Sequence, residues 1–208
     1  MTIHKLSSLG AFGTNCYIVE TDNKSAILID APCQPKHILS AVNNLGLTLK
    51  VILLTHGHCD HIEALNDLVN ATGCKVYIHK ADIGMLNDKM LSLAGYFGTP
   101  FTKFEGALTL TNGDTVTVDE AEFKVISTPG HTAGSVCYVI DDVIFSGDTL
   151  FYNSIGRTDF PGGDYKTIIS SIALLKNLGR NYIVHPGHER STDLYFELET
   201  NPFLDALR

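Results

Sequence analysis

Six consecutive residues, His56-Gly57-His58-Cys59-Asp60-His61, hold three imidazoles and a carboxylate. Directly before them runs Val51-Ile52-Leu53-Leu54, aliphatic without alternation, the pattern of a strand buried on both faces. The histidines thus sit just past the carboxyl end of a buried strand, where α/β folds place ligands. In extended chain, residues two apart point the same way, so His56 and His58 can grip one ion while Asp60 and His61 turn toward another. Imidazole nitrogen with carboxylate oxygen suits zinc, iron or manganese.

Three further residues obey the same strand-end rule. His131 follows the apolar run 123–127 in Thr128-Pro129-Gly130-His131-Thr132-Ala133-Gly134-Ser135. Asp148 follows Val143-Ile144-Phe145 in Ser146-Gly147-Asp148-Thr149, and His188 follows Tyr182-Ile183-Val184 in His185-Pro186-Gly187-His188. A glycine precedes each one, so the backbone can turn sharply and leave the side chain at the rim. A lone histidine after a strand is ordinarily a satisfied core or surface residue. Four strand ends that each deliver His or Asp point instead to one shared site.

The elements that must position these groups are legible from periodicity and turn signals. Residues 3–9, 15–20 and 25–30 read as strands, 36–45 as a helix and 51–54 as the buried strand. Residues 61–71 read as one helix with Ile62, Leu65, Leu68 and Val69 on a face, closed by Gly73. Lys75–His79 reads as a strand and residues 81–87 as a short helix. Leu108–Leu110, Thr115–Val118 and residues 123–127, 134–139, 143–146 and 182–184 read as strands. Residues 164–178 form the most periodic helix, with Ile168, Ile172 and Leu175 at helical spacing. Two βα halves result, joined between residues 97 and 106 and packed sheet to sheet with helices outside, in an α/β chain.

Bulk properties agree. At 208 residues, 44% hydrophobic and 18% charged, the chain suits one soluble globular domain, residues 1–208. No apolar run is long enough to span a bilayer, and no secretory signal is visible, so the cytoplasm is the expected location and no membrane partner is expected. The five cysteines are odd in number and lack a Cys-x-x-Cys pair, against a disulfide framework or a zinc ribbon. Cys59 reads as a spacer. The net charge of −8 disfavours nucleic acid as a partner.

His56-Gly57-His58-Cys59-Asp60-His61 resembles the His-x-His-x-Asp-His signature of the metallo-β-lactamase fold superfamily, with His131, Asp148 and His188 in the order that superfamily uses. Within it, the chain more closely resembles the glyoxalase II-like (hydroxyacylglutathione hydrolase-like) branch. Residues 128–135, Gly147-Asp148-Thr149-Leu150-Phe151 and Gly156-Arg157-Thr158-Asp159-Phe160-Pro161-Gly162-Gly163-Asp164 carry that similarity. The resemblance implies a four-layer αββα sandwich and two divalent ions, zinc first, with iron or manganese as alternatives. His56, His58 and His131 would hold the first ion, Asp60, His61 and His188 the second, and Asp148 would bridge.

Several roles follow from the resemblance. The implied activity is hydrolysis of a small-molecule thioester such as S-lactoylglutathione by water that the ions activate. Asp60 and Asp148 are the expected catalytic carboxylates. Asp30, at the end of its strand, would orient a ligand histidine. Thr132 and Ser135 would support the His131 loop. Arg157 would meet a substrate carboxylate, with a salt bridge to Asp159 or Asp164 as the plainer role. Tyr152 and Tyr165 would line the pocket, and His185 would pack in the core.

Other chemistries of the same fold are weighed by residue. Mixed-site zinc β-lactamases commonly carry cysteine where Asp148 stands, and flavodiiron proteins carry glutamate where His58 stands. Ribonuclease relatives share the signature, but this chain is acidic. The serious rival is the iron-dependent persulfide dioxygenase branch, which shares the signature and Gly-Arg-Thr-Asp-Phe. A catalytically silent metal-binding domain is disfavoured by the complete ligand set. Residues 191–207 allow a short helix and tail, so no separate C-terminal helical substrate domain is expected.

Overall fold

The apolar runs of the first half lie side by side as one mixed sheet, joined by residues 108–110 from beyond the expected join at 97–106, so the change of sheet falls between Leu110 and Thr115. Its strands are β1 (Thr2–Leu9), β2 (Thr14–Glu20), β3 (Ser25–Ile29), β4 (Thr48–Leu53), β5 (Lys75–His79) and β6 (Leu108–Leu110). They stand in sequence order, antiparallel through β1, β2 and β3 and parallel from β3 to β6. The structure is a computed structural model that describes residues 1–207; Arg208, the last residue of the expected domain, lies outside the described residues.

The second sheet takes its strands from the other half. These are β7 (Thr115–Val118), β8 (Ala121–Ser127), β9 (Val136–Ile140) and β10 (Val143–Gly147). A small hairpin, β11 (Leu150–Phe151) and β12 (Ser154–Ile155), follows, and β13 (Ile183–Pro186) with β14 (Thr192–Asp193) complete the set. The sheet order is β14-β13-β10-β9-β8-β7, and only the β10–β13 pair is parallel. β8, β10 and β13 therefore run the same way, and their carboxyl ends open on one rim.

Among the described residues six α-helices flank the sheets: α1 (Pro35–Asn44), α2 (Cys59–Ile62), α3 (Leu65–Thr72), α4 (Ala94–Phe97), α5 (Tyr165–Lys176) and α6 (Leu194–Thr200). Three apolar layers hold these four tiers together. Ile38, Val42, Leu65 and Leu68 bring α1 and α3 onto the outer face of the first sheet. Tyr17, Ile27, Ile29, Val51 and Leu53 meet Phe123, Val125, Tyr138 and Phe145 between the sheets. Ile168, Ile172, Leu175 and Leu194 pack α5 and α6 on Cys137, Val139 and Ile144 of the second sheet. Alternate residues of the buried strands serve opposite layers, which is why both faces had to be apolar. This is the four-layer αββα sandwich that the family resemblance implied.

Three local expectations need correction. Residues 61–71 are not one helix, because the backbone near Ala31 competes for the same groups. Ala31 N–H donates to His61 O at 2.8 Å and Ala64 N–H donates to Ala31 O at 2.9 Å, which separates α2 from α3. Residues 81–87 form only a 3₁₀ turn, Ile83–Leu86. Asp164 is not inside α5 but caps it, its carboxylate accepting from Thr167 N–H at 2.7 Å. No described helix is long and apolar enough to cross a membrane.

Candidate metal centre

Four strand ends and one short helix deliver the seven expected residues to one place. His56 and His58 follow β4, Asp60 and His61 sit on α2, His131 follows β8, Asp148 follows β10 and His188 follows β13. Three overlapping triads result: His56, His58 and His131; His56, His61 and Asp148; Asp60, His61 and His188. In each, one donor atom per residue lies within 4.8 Å of the others. All seven are buried or half-buried.

Close backbone approach makes the convergence possible. Gly147 takes φ +48°, and a Cβ there would fall 2.4 Å from Thr55 Oγ1. Gly187 N–H donates to Gly147 O at 2.9 Å, and Asn15 N–H donates to Gly187 O at 2.7 Å, so the His188 loop is pinned to both sheets. A Cβ on Gly187 would lie 2.3 Å from Asp148 Oδ1 and 2.7 Å from His61 Cε1.

Four of the five histidines, all but His58, are turned by a partner on the far side. His61 Nδ1 lies 2.8 Å from Asp30 Oδ2, and His131 Nδ1 lies 2.7 Å from the Arg157 carbonyl. His188 Nδ1 lies 3.1 Å from the Phe12 carbonyl. Carbonyl and carboxylate oxygens can only accept, so each Nδ1 carries a proton and Nε2 is the ring atom turned toward the cluster. His56 is set by a relay: Thr55 Oγ1 donates to Asp30 Oδ2 at 2.9 Å and lies 3.1 Å from His56 Nδ1. Asp30 thus governs two imidazoles at once, with its own backbone at φ 61°.

The inward-facing atoms fit a cation. His58 Nδ1 and His131 Nε2 stand 2.9 Å apart. His56 Nε2 and Asp148 Oδ1 are buried and have no hydrogen-bond partner. Orphaned lone pairs facing one another are costly unless a positive charge joins them. The Asp148 oxygens lie 3.4 Å from His61 and His188 Nε2 and 3.5 Å from His131 Nε2.

Electrostatics divide the cluster in two. Burial, followed by the positive potential of neighbouring histidines, drives His56 well below its usual pKa and lowers His58 to about 3. On the other side burial also works to lower His61 and His188, but carboxylates overcome it. Asp60, Asp30 and Asp148 raise His61 to about 9, and Asp148 with Asp60 raises His188 to about 11. Asp60, despite burial, is held near 2 by His61 and His188. Asp148 is likewise pulled well below the carboxylate range against its burial.

Several supports were not visible in sequence. Asp82, buried, accepts from Gly57 N–H at 3.1 Å, Thr132 Oγ1 at 2.7 Å and Gly134 N–H at 2.7 Å. It ties the His56–His61 loop to the His131 loop, the task expected of Thr132 and Ser135, which bond each other at 2.8 Å. Its place shortly after β5 is the signal that could have found it. Thr14 donates to Asp60 Oδ2 at 2.9 Å, from a position with no motif to mark it.

The outer positions fall as follows. Arg157 forms a two-pronged pair with Asp159 at 2.7 and 2.6 Å and lies 3.8 Å from the Phe160 ring centroid, the plainer of its two expected roles. Tyr152 stacks on Phe196 at 5.6 Å with the Arg190 guanidinium 3.5 Å from its ring. Tyr165 is 51% exposed on α5. His185 packs against Tyr17 and Phe145 and bonds Ser191 at 2.7 Å. Cys59 is buried and its thiol pKa is raised, first by burial, as suits a spacer.

Known proteins are similar along most of the chain. Residues 9–188 match the metallo-beta-lactamase superfamily. The chain is 35% identical over 203 residues to the hydroxyacylglutathione hydrolase GloC of Haemophilus influenzae, covering 94% of this chain and 95% of that protein. Among solved structures it is similar to the BLEG-1 B3 metallo-beta-lactamase, with a TM-score of 0.93 and 35% identity over 98% of this chain and 100% of that one. It is also similar to TTHA1623 in a di-iron-bound form, with a TM-score of 0.87 and 36% identity over 97% of this chain and all (100%) of that one. The chain belongs to the metallo-beta-lactamase superfamily.

Proposed function

We propose that this chain is a metal-dependent hydrolase of acyl thioesters, S-lactoylglutathione or a related acyl thioester, in the manner of glyoxalase II. The observation that carries the reading is Asp148, whose one carboxylate lies within 3.5 Å of histidines from both sides of the cluster. In this reading His56, His58 and His131 hold one divalent ion and Asp60, His61 and His188 a second, with Asp148 shared. Zinc is the first candidate, and iron or manganese suits the same donors. Two such cations, when bound, polarise a carbonyl oxygen and acidify water at neutral pH.

The chain's own residues supply orientation. Asp30 and Thr55 hold His61 and His56 with their Nε2 atoms inward, where they would meet a cation, and the Arg157 and Phe12 carbonyls do the same for His131 and His188. Asp60, ionised and anchored by Thr14, is placed to orient an attacking water. A thiolate leaves without a strong general acid, and this site offers none. Both sheets contribute donors, so residues 1–208 act as one domain. The hydroxyacylglutathione hydrolase activity named for the Haemophilus relative supports the thioester. All five cysteines are free and four are buried, in keeping with the reducing cytoplasm that we propose as its location.

Metal analysis and turnover of S-lactoylglutathione and acetyl thioesters test this. The expected result is two ions per chain, thioester cleavage, and a loss of at least about a hundredfold in kcat/KM in Asp148→Ala. One iron per chain with oxygen uptake and no thioester cleavage would overturn it in favour of a persulfide dioxygenase. Cleavage of β-lactams alone would overturn it in favour of a lactamase.

A further inference from the structure

Three aromatic rings, from two loops and the end of α4, form an arc along the mouth of the candidate metal cluster. Phe160 stands edge-on to His58 with centroids 6.1 Å apart, Phe97 meets Phe160 at 5.9 Å, and Phe12 meets Phe97 at 5.0 Å. The arc returns to the cluster through the Phe12 carbonyl, which lies 3.1 Å from His188 Nδ1. It therefore begins at one end of the donor set and finishes at the other. Yet Phe12 is 39% and Phe97 45% exposed, so folding has not buried them. Aromatic rings left open beside a polar cluster mark a surface that an apolar ligand covers.

We propose that this arc is the acyl-chain subsite and that the substrate is a thioester of a hydrocarbon acyl group longer than acetyl. The inference rests on the thioester reading above and specifies the side of the substrate that the chain selects. Whatever reacts at the donor set lies against Phe160 on one side, and the arc leads outward from there. The acyl group is the part that can be pure hydrocarbon, whereas biological thiol carriers carry amides and charges. Polar rims exist elsewhere at the mouth for such a carrier. Phe151 stands 6.0 Å from His188, and the neighbouring Tyr152 carries the Arg190 guanidinium. A guanidinium suits a carboxylate or phosphate, not an alkyl chain; the one over Phe160, Arg157, is already neutralised by its two bonds to Asp159.

The test separates binding from turnover. Calorimetry measures the affinity of S-ethyl-, S-butyl- and S-hexyl-N-acetylcysteamine, thioethers that cannot be cleaved, for the metal-loaded protein and for Phe97→Ala and Phe160→Ala. Turnover of the acetyl, butanoyl and hexanoyl thioesters is measured in parallel. Burial of each methylene tightens binding by up to about fourfold, so S-hexyl is expected to bind at least about tenfold tighter than S-ethyl. The same ratio is expected to collapse in both variants, and Phe97→Leu to restore part of it. kcat/KM is expected to rise with acyl length. A flat affinity series in the unaltered protein, or a ratio retained in both variants, would overturn the subsite whether or not thioesters are cleaved. Tightening that comes from lengthening the amide end of the probe instead of the sulfur substituent would also overturn it. A steep affinity series without turnover leaves the subsite standing and removes the thioesterase reading.

Discussion

Asp30 Oδ2 and His61 Nδ1 lie 2.8 Å apart with both side chains out of solvent. The same carboxylate holds the Thr55 hydroxyl that faces His56, so one residue at the end of β3 sets the angle of imidazoles in two triads. Asp30→Asn keeps the size and tolerates the left-handed backbone but weakens both acceptors. The expected outcome is metal affinity lower by about 10–100-fold with the thermal midpoint of the metal-free protein little changed. Competition with a chromogenic chelator measures it; unaltered affinity would remove Asp30 from the site.

Asp82 is the buried knot between the two ligand loops. Asp82→Ala strands three donors, two of them backbone N–H groups, and each buried donor without an acceptor costs about 1–3 kcal/mol. A loss of at least about 3 kcal/mol is expected in urea unfolding, with a smaller loss for Asp82→Asn, which keeps an acceptor oxygen. Equal stability of the alanine variant and the parent would contradict this.

Gly187→Ala places a methyl group 2.3 Å from Asp148 Oδ1 and against His61. The loop is pinned to both sheets and has little room to retreat. Metal content is expected to fall below one ion per chain while the circular dichroism spectrum stays that of the parent. Full occupancy in the alanine variant would show that the loop yields.

His185 supplies a pH dependence apart from the metal donors. Burial first, and then the charge of Lys5, lower its pKa from 6.5 to about 4. Above pH 6.5 it is neutral whether folded or not, and its contribution is complete. Between pH 6.5 and 4 the unfolded chain gains a proton that the folded chain declines, so stability falls as pH falls through that window. Urea midpoints at pH 7, 6 and 5 are expected to drop more steeply in the parent than in His185→Gln. Parallel slopes would refute the assignment.

What the sequence determined by itself was the chemical type of each donor and its station at a strand end. Strand runs and helical spacing are near-neighbour properties, so β4, β5, β10 and α5 were legible to within a few residues. The seven candidate donors were legible because each follows an apolar run and a turn. The tertiary structure alone decided what lies behind them. Asp30 and His61 are 31 residues apart in the chain, and Phe12 and His188 are 176 apart. Such partners are fixed by sheet order and register, which no local pattern encodes. The same holds for the break between α2 and α3, forced by hydrogen bonds to Ala31, and for the arc of Phe12, Phe97 and Phe160. Each of those rings reads in sequence as an ordinary apolar residue. Only the meeting of two loops with the end of α4 brings them together beside the candidate donors, with Phe12 and Phe97 left exposed.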